Sequence, residues 1–315
     1  MQPSYLSSSV YHHELIEKNA LIFKCENMAF SPFDELIISW NAKRPLRGHY
    51  ALSVSILTSA WSTWIPYAKW GGQEQQSFST KFDNIRLYQD TLELLNGCKG
   101  FGYRIKVEAL EGANLKKFAA VFVCTSDLST LARQPQIPPT KSLALTVPPL
   151  SQMALSHPRA QHLCSATSAT ATLRFLLKNE QIDPVHFATQ AWDKGFDIFG
   201  NWTFNVAHAY TVLGASWRCY VARLSNFHDI ITSLSQGIPV VVSVKGPLPG
   251  SAQPYLEGHL MVVTGYDALH ERVLCMDPAF PSDHLTNVTY AFNDFIEAWR
   301  RRNYIAYLFT KSTDV

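Results

Sequence analysis

Residues 133–149 carry five prolines, Pro135, Pro138, Pro139, Pro148 and Pro149. Each one removes a backbone donor and fixes φ, so this stretch can be neither a regular helix nor a central strand. It divides the 315 residues into two parts, and the hydrophobic pattern differs on its two sides. The division predicts a domain over residues 1–130, a linker over 131–146 and a second domain over 147–315. Each domain has enough chain to bury its own core.

The first part alternates with a period of two. Leu52, Val54 and Ile56 alternate with Ser53 and Ser55; Tyr103, Ile105, Val107 and Ala109 alternate with Arg104, Lys106 and Glu108. Residues 118–123 form a continuous apolar run, as in a strand covered on both faces. Gly71-Gly72, Asn96-Gly97 and Glu111-Gly112 supply turns between such runs. Strands without long helical patterns between them predict an antiparallel β-sandwich. Trp40, Trp61, Trp64 and Trp70 fit its core or rim better than a sugar-stacking platform.

The second part begins as a helix and continues as strands. Residues 165–179 place Ala169, Leu173, Leu176 and Leu177 on one stripe. Residues 227–236 form a shorter helical piece ended by Gly237. Strand patterns follow over 239–244, 259–266 and 272–276, then an amphipathic helix over 293–302 and a closing strand over 304–310. Helix first and sheet afterwards predicts an α+β layout.

Composition excludes several functions. Lys and Arg number 27 against 25 Asp and Glu, a net charge of +2, which gives no electrostatic footprint for nucleic acid or an anionic membrane. The longest apolar runs are far too short to span a bilayer. Residues 1–10 lack a basic start and an apolar core, so the expected location is the cytoplasm, or outside the cell by a route without an N-terminal signal. Cys25, Cys98, Cys124, Cys219 and Cys275 stand singly with no C-x-x-C pair, which argues against a disulfide framework or a structural zinc. No metal and no cofactor are expected, and nothing in the sequence sets an oligomeric state.

The sixth cysteine is different. Cys164 stands where the helix over 165–179 begins, and unpaired N–H groups with the helix dipole stabilise a thiolate there. Ser165, Thr167 and Ser168 are natural capping residues. A cysteine at a helix start is by itself more often structural. His259 strengthens the case, since it opens a buried-strand pattern directly after Gly258. If residues 267–271 form a turn, strands 259–266 and 272–276 make a hairpin. Pairing Tyr266 with Arg272 then puts Asp277 opposite Met261, diagonal to His259. The carboxylate would hold Nδ1–H of the imidazole and leave Nε2 to face the thiol. Cys164 as nucleophile, His259 as base and Asp277 as its orienting acid make a set for acyl transfer. Either Gln152 or Gln161 can supply an oxyanion donor beside the Cys164 N–H. His162 is too near Cys164 in the chain to bring its ring onto the sulfur.

Taken in order, V-P-P-L-S-Q (147–152), C-S-A-T-S (164–168), G-N-W (200–202), G-I-P (237–239), G-H-L (258–260) and D-P-A (277–279) resemble the bacterial papain-fold peptidases related to the double-glycine leader (bacteriocin-processing) peptidases. Within that group the chain is similar to proteins in which a papain-like cysteine peptidase domain follows an antiparallel β-sandwich. The resemblance implies a catalytic triad of Cys164, His259 and Asp277, and favours Gln152 for the oxyanion hole. It departs at Ala166, where Pro is frequent, and at Met276, where Asn is frequent. No transporter segment is present, so leader cleavage is not carried over. The expected function is a cysteine peptidase or amidase that hydrolyses a peptide or protein substrate through a thioester. The alternatives are a transglutaminase-like acyltransferase on the same triad, and a non-catalytic binding protein with a degenerate peptidase domain.

Overall fold

The computed structural model describes residues 7–15 and 22–312. The alternating first part folds into strands β1 (Ser8–Glu14), β2 (Ile22–Phe33), β3 (Glu35–Ala42), β4 (His49–Leu57) and β5 (Ile65–Gly71). These continue as β6 (Gln76–Phe82), β7 (Ile85–Gln89), β8 (Thr91–Leu94), β9 (Gly100–Leu110) and β10 (Phe118–Ser126). They form one antiparallel path in the order β1-β10-β3-β8-β7-β6-β5-β4-β9-β2. Only two residue pairs join β5 to β6. The path folds over, so that Trp40 and Val123 from one leaf share a core with Tyr50, Val54 and Ile105 from the other. Ring contacts cross this core, Tyr11 to Tyr103 at 5.7 Å and Tyr50 to Phe118 at 5.1 Å. Trp40 and Trp70 are fully buried here. Trp61 lies under the Arg104 guanidinium on the rim, 3.9 Å away.

The second part contains α1 (Leu128–Leu131), β11 (Leu143–Ala144), α2 (Cys164–Leu177), α3 (Pro184–Ala191), α4 (Trp202–Leu213), β12 (Trp217–Arg223) and α5 (Phe227–Ser235). Then come β13 (Val240–Gly246), β14 (Tyr255–Asp267), β15 (Arg272–Met276), β16 (Asn287–Ala291), α6 (Phe292–Arg300) and β17 (Ile305–Lys311). The sheet runs β12-β17-β13-β14-β15-β16, and β11 adds to β14. Helix starts follow local chemistry. Asp183 caps α3 with Pro184 as its first residue, Asn201 caps α4, and Asn226 with Asp229 forms a capping box on α5.

The proline-rich stretch is fastened to the second part. Leu143 and Ala144 pair with Tyr266 and Gly265, and the Gln136 side chain accepts from the Phe227 N–H at 2.9 Å. The two parts also share a dense boundary. Strand β12 is an edge strand, and its outward backbone groups would be unpaired. Side chains of β3 satisfy them: Asn41 accepts from the Cys219 N–H and donates to its carbonyl, and Ser39 Oγ accepts from the Val221 N–H. Two residues further on, Arg223 makes a buried two-pronged ion pair with Glu35. From the other side, Phe204 of α4 packs between Trp40 and Trp70. Strand β3 is therefore covered on both faces, and so is β10, as the continuous apolar run over 118–123 predicts.

Candidate active site

Helix α2 starts on Cys164 itself, and the residue before it, Leu163, offers no side-chain cap. The expectation that Ser165, Thr167 and Ser168 cap this helix is overturned. All three lie inside it, buried, and Ser165 and Ser168 reach sideways to the Tyr307 hydroxyl (2.8 Å) and the Leu260 carbonyl (3.0 Å). These bonds clamp the helix start to β14 and β17. The missing cap leaves the first helical N–H groups unspent, and the Ser165 and Leu260 N–H groups reach the Cys164 sulfur.

The β14–β15 hairpin carries the other two residues. At its turn Asp267 pairs with Arg272, one residue out from the register expected from the sequence. A bulge between Val263 and Gly265 absorbs the difference, and Val262 pairs with Met276. The register next to the site is thus the expected one, with Asp277 diagonal to His259. The His259 ring and the Asp277 carboxylate are hydrogen-bonded at 2.7 Å. The nitrogens are reversed from the expectation: Nε2 faces Asp277, which leaves Nδ1 for the thiol.

Three residues thus come together as a chain of hydrogen bonds, Cys164 to His259 to Asp277. Burial alone would push the Cys164 thiol up, but the hydrogen bond and charge of His259 outweigh it and hold the thiol below its ordinary value. Burial would likewise lower His259; Asp277 and the thiolate reverse that and raise it to about 10. Asp277 is fully buried, and His259 with two tyrosine hydroxyls keeps it ionised against that burial.

Two tyrosines outside the sequence-derived set complete the site. Tyr255 and Tyr290 each donate to Asp277 Oδ2 at 2.6 Å, while Oδ1 also accepts from the Ala279 N–H at 3.0 Å. Tyr255 in addition stacks on the His259 ring, with centroids 4.1 Å apart. Its even spacing from His259 on one strand was the available signal. Tyr290 sits on β16 opposite Val273 and left no local signal at all. Replacing Tyr290 by Phe removes a charge-assisted bond that contributes about 1.5–3 kcal/mol. It will raise the Asp277 pKa, and the acid limb of any pH–rate profile will move towards neutrality.

Gln152 lies beside the same loop, its N–H donating to the Pro278 carbonyl at 2.9 Å. Its amide nitrogen donates to the Ala160 and Gln161 carbonyls, at 3.2 and 2.8 Å, in the turn before Cys164. The opposite amide orientation would set oxygen against two carbonyls, so this one is fixed. The Gln152 side-chain oxygen is buried without a partner. The residue therefore ties the Asp277 loop to the nucleophile turn, and its donors are committed in this state. Gln161 contributes only a backbone carbonyl to this arrangement. His162 is exposed at the end of that turn. No group of three or more His, Cys, Asp or Glu able to hold a metal occurs among the described residues, and no helix of the described residues is long and apolar enough to cross a membrane.

A thiol at a helix start, facing an imidazole on an antiparallel sheet, is the frame of a papain-like cysteine peptidase. Residues 144–307, just over half of the chain, match the Peptidase_C39 like family, and the chain belongs to that family. Among solved structures, a C39-like peptidase from Bacillus anthracis matches with a TM-score of 0.40 and 17% identity, over 55% of this chain and 100% of that one. No curated protein matches. Membership supports a cysteine-peptidase type of function.

Proposed function

We propose that the protein is a cysteine peptidase or amidase in which Cys164, His259 and Asp277 act as the catalytic triad. The observation that carries this reading is the buried hydrogen-bonded chain in which the Cys164 thiol is lowered while His259 is raised. A lowered thiol beside a raised imidazole favours the thiolate–imidazolium form, the state ready for attack. Cys164 Sγ attacks the amide carbonyl carbon and the oxygen takes up the negative charge. The Cys164 backbone N–H stabilises that charge, joined by Gln152 once its amide exchanges the Gln161 carbonyl for the substrate oxygen. His259 passes its Nδ1 proton to the leaving nitrogen, the C–N bond breaks, and a thioester remains. Water, deprotonated by His259, then releases the acid and the thiolate. Residues 147–315 form the catalytic domain of this reading, 1–130 a domain that walls its cleft, and 131–146 the connection.

The test is reaction with a thiol-directed acyl probe at varied pH. The rate at Cys164 should climb through a value below the ordinary thiol pKa. It should decline as His259 deprotonates near pH 10, since the imidazolium form is lost as pH rises through the folded value. A rate that only begins to climb near pH 9 rules the ion pair out.

A further inference from the structure

A cavity of about 460 Å³ lies where the β7–β8 turn meets α4 and the turn after α6. Most charged groups in its wall are already matched. Arg223 pairs with Glu35, Arg86 pairs with Glu93, and Arg301 pairs with Glu297. Asp90 is buried, and its carboxylate accepts from the Trp202 N–H at 2.6 Å and from the Thr91 hydroxyl. That leaves Arg302. Its guanidinium lies against the face of Trp202, 5.7 Å from the ring centre, and Nη2 donates to the Glu257 carbonyl at 2.9 Å. No carboxylate is within ion-pair distance of it among the described residues, and its Nε is buried without a partner.

Arg302 is also next to the chemistry. Gly258, directly before His259, has φ +104, and a Cβ there would collide with the Arg302 guanidinium. The positive φ calls for glycine at that position, and the close approach shows that the guanidinium lies directly on the backbone before His259. Burial lowers the Arg302 pKa, and the Asp90 carboxylate, beyond ion-pair distance, acts on it more strongly than Cys164 does. A guanidinium with unspent donors, lying over an indole beside the base, offers a planar fork to two oxygens. Backbone carbonyls of a bound peptide would satisfy it poorly, because each brings one oxygen and no charge.

We propose that this cavity is a substrate subsite in which Arg302 binds a carboxylate, so that the enzyme selects peptides carrying a negative group near the scissile bond. This rests on the cysteine-peptidase reading of the neighbouring site. Asp90 lines the same cavity, so the bound carboxylate has to sit on the side of Arg302 away from it. The carboxylate can come from a chain end or from an acidic side chain, and the test separates them.

Three libraries of N-acetylated tripeptides serve as probes: all-neutral with C-terminal amides, the same with free C-terminal carboxylates, and amides with Glu at one position. Each competes with iodoacetamide for Cys164, read by mass spectrometry of the intact full-length protein. One of the two carboxylate libraries should protect Cys164 at a concentration at least about tenfold lower than the neutral library does, as a charge-assisted fork implies. Which of them does so identifies the source. In Arg302→Gln the libraries should become equal, and Arg302→Lys should restore part of the preference. Equal protection by all three in the unaltered protein overturns the proposal without any variant. Cys164 alkylating no faster than a free thiol instead overturns the peptidase reading, and the comparison of libraries still reports on the cavity.

Discussion

Replacing Cys164 by Ala will lower hydrolysis of a cleavable peptide by on the order of 10⁴-fold or more, leaving only what binding and oxyanion stabilisation give. The measurement is a peptide-library digest of the two proteins side by side. The same cysteine should be singled out by limiting iodoacetamide at pH 6. Burial pushes Cys25 up to about 12 and holds Cys219 and Cys275 well above the ordinary thiol value, so none of these three offers thiolate there. Cys164 alone of these four has an imidazolium and helix N–H groups on its sulfur. Undiminished hydrolysis by Cys164→Ala would remove it from the mechanism. Incorporation of an added amine in excess of hydrolysis would turn the assignment towards acyl transfer.

Much of this site is legible in the sequence because it is built from local patterns. The start of α2 at Cys164 follows from a switch to helical spacing, and the nearness of His259 and Asp277 follows from pairing two strands about one turn. The expected pairing holds at the site although the turn is one residue shorter than the spacing predicts, because the bulge at Thr264 restores the register. What escaped depends on contacts with no sequence period. Tyr255 comes over His259 because β14 holds two more residues than β13 between the His259 and Tyr255 pairings. Which imidazole nitrogen meets Asp277 depends on the side from which that strand delivers the ring. Helix α4 has no legible period since it is apolar on nearly every face: Phe204 and Ala207 enter one core while Val206 and Ala209 enter the other. An element wedged between two cores has no polar stripe to reveal its period. Arg302 is invisible for a related reason, being one of three consecutive arginines that differ only in what the fold puts beside each.

Replacing Arg223 by Ala will be the costliest single change at the boundary between the two parts, at about 3–5 kcal/mol of stability. Arg223 and Glu35 are both almost fully buried, and truncating the arginine strands a carboxylate without its counter-charge. The second arm of Arg223 donates to the Arg302 and Asn303 carbonyls at 2.8 Å, so the same change frees the turn that carries Arg302. Burial already raises the Glu35 pKa with its partner present, and removing that partner raises it further. A carboxyl whose folded pKa exceeds its unfolded value favours the folded state more as pH falls. The deficit of Arg223→Ala in urea unfolding should therefore be largest at neutral pH and shrink towards pH 5. Changing both residues to Met should recover most of the loss, because no charge is then left in the boundary. A loss below about 1 kcal/mol, or one that is the same at both pH values, would mean that water reaches Glu35. The boundary would then be held by Asn41, Ser39 and Phe204 rather than by the ion pair.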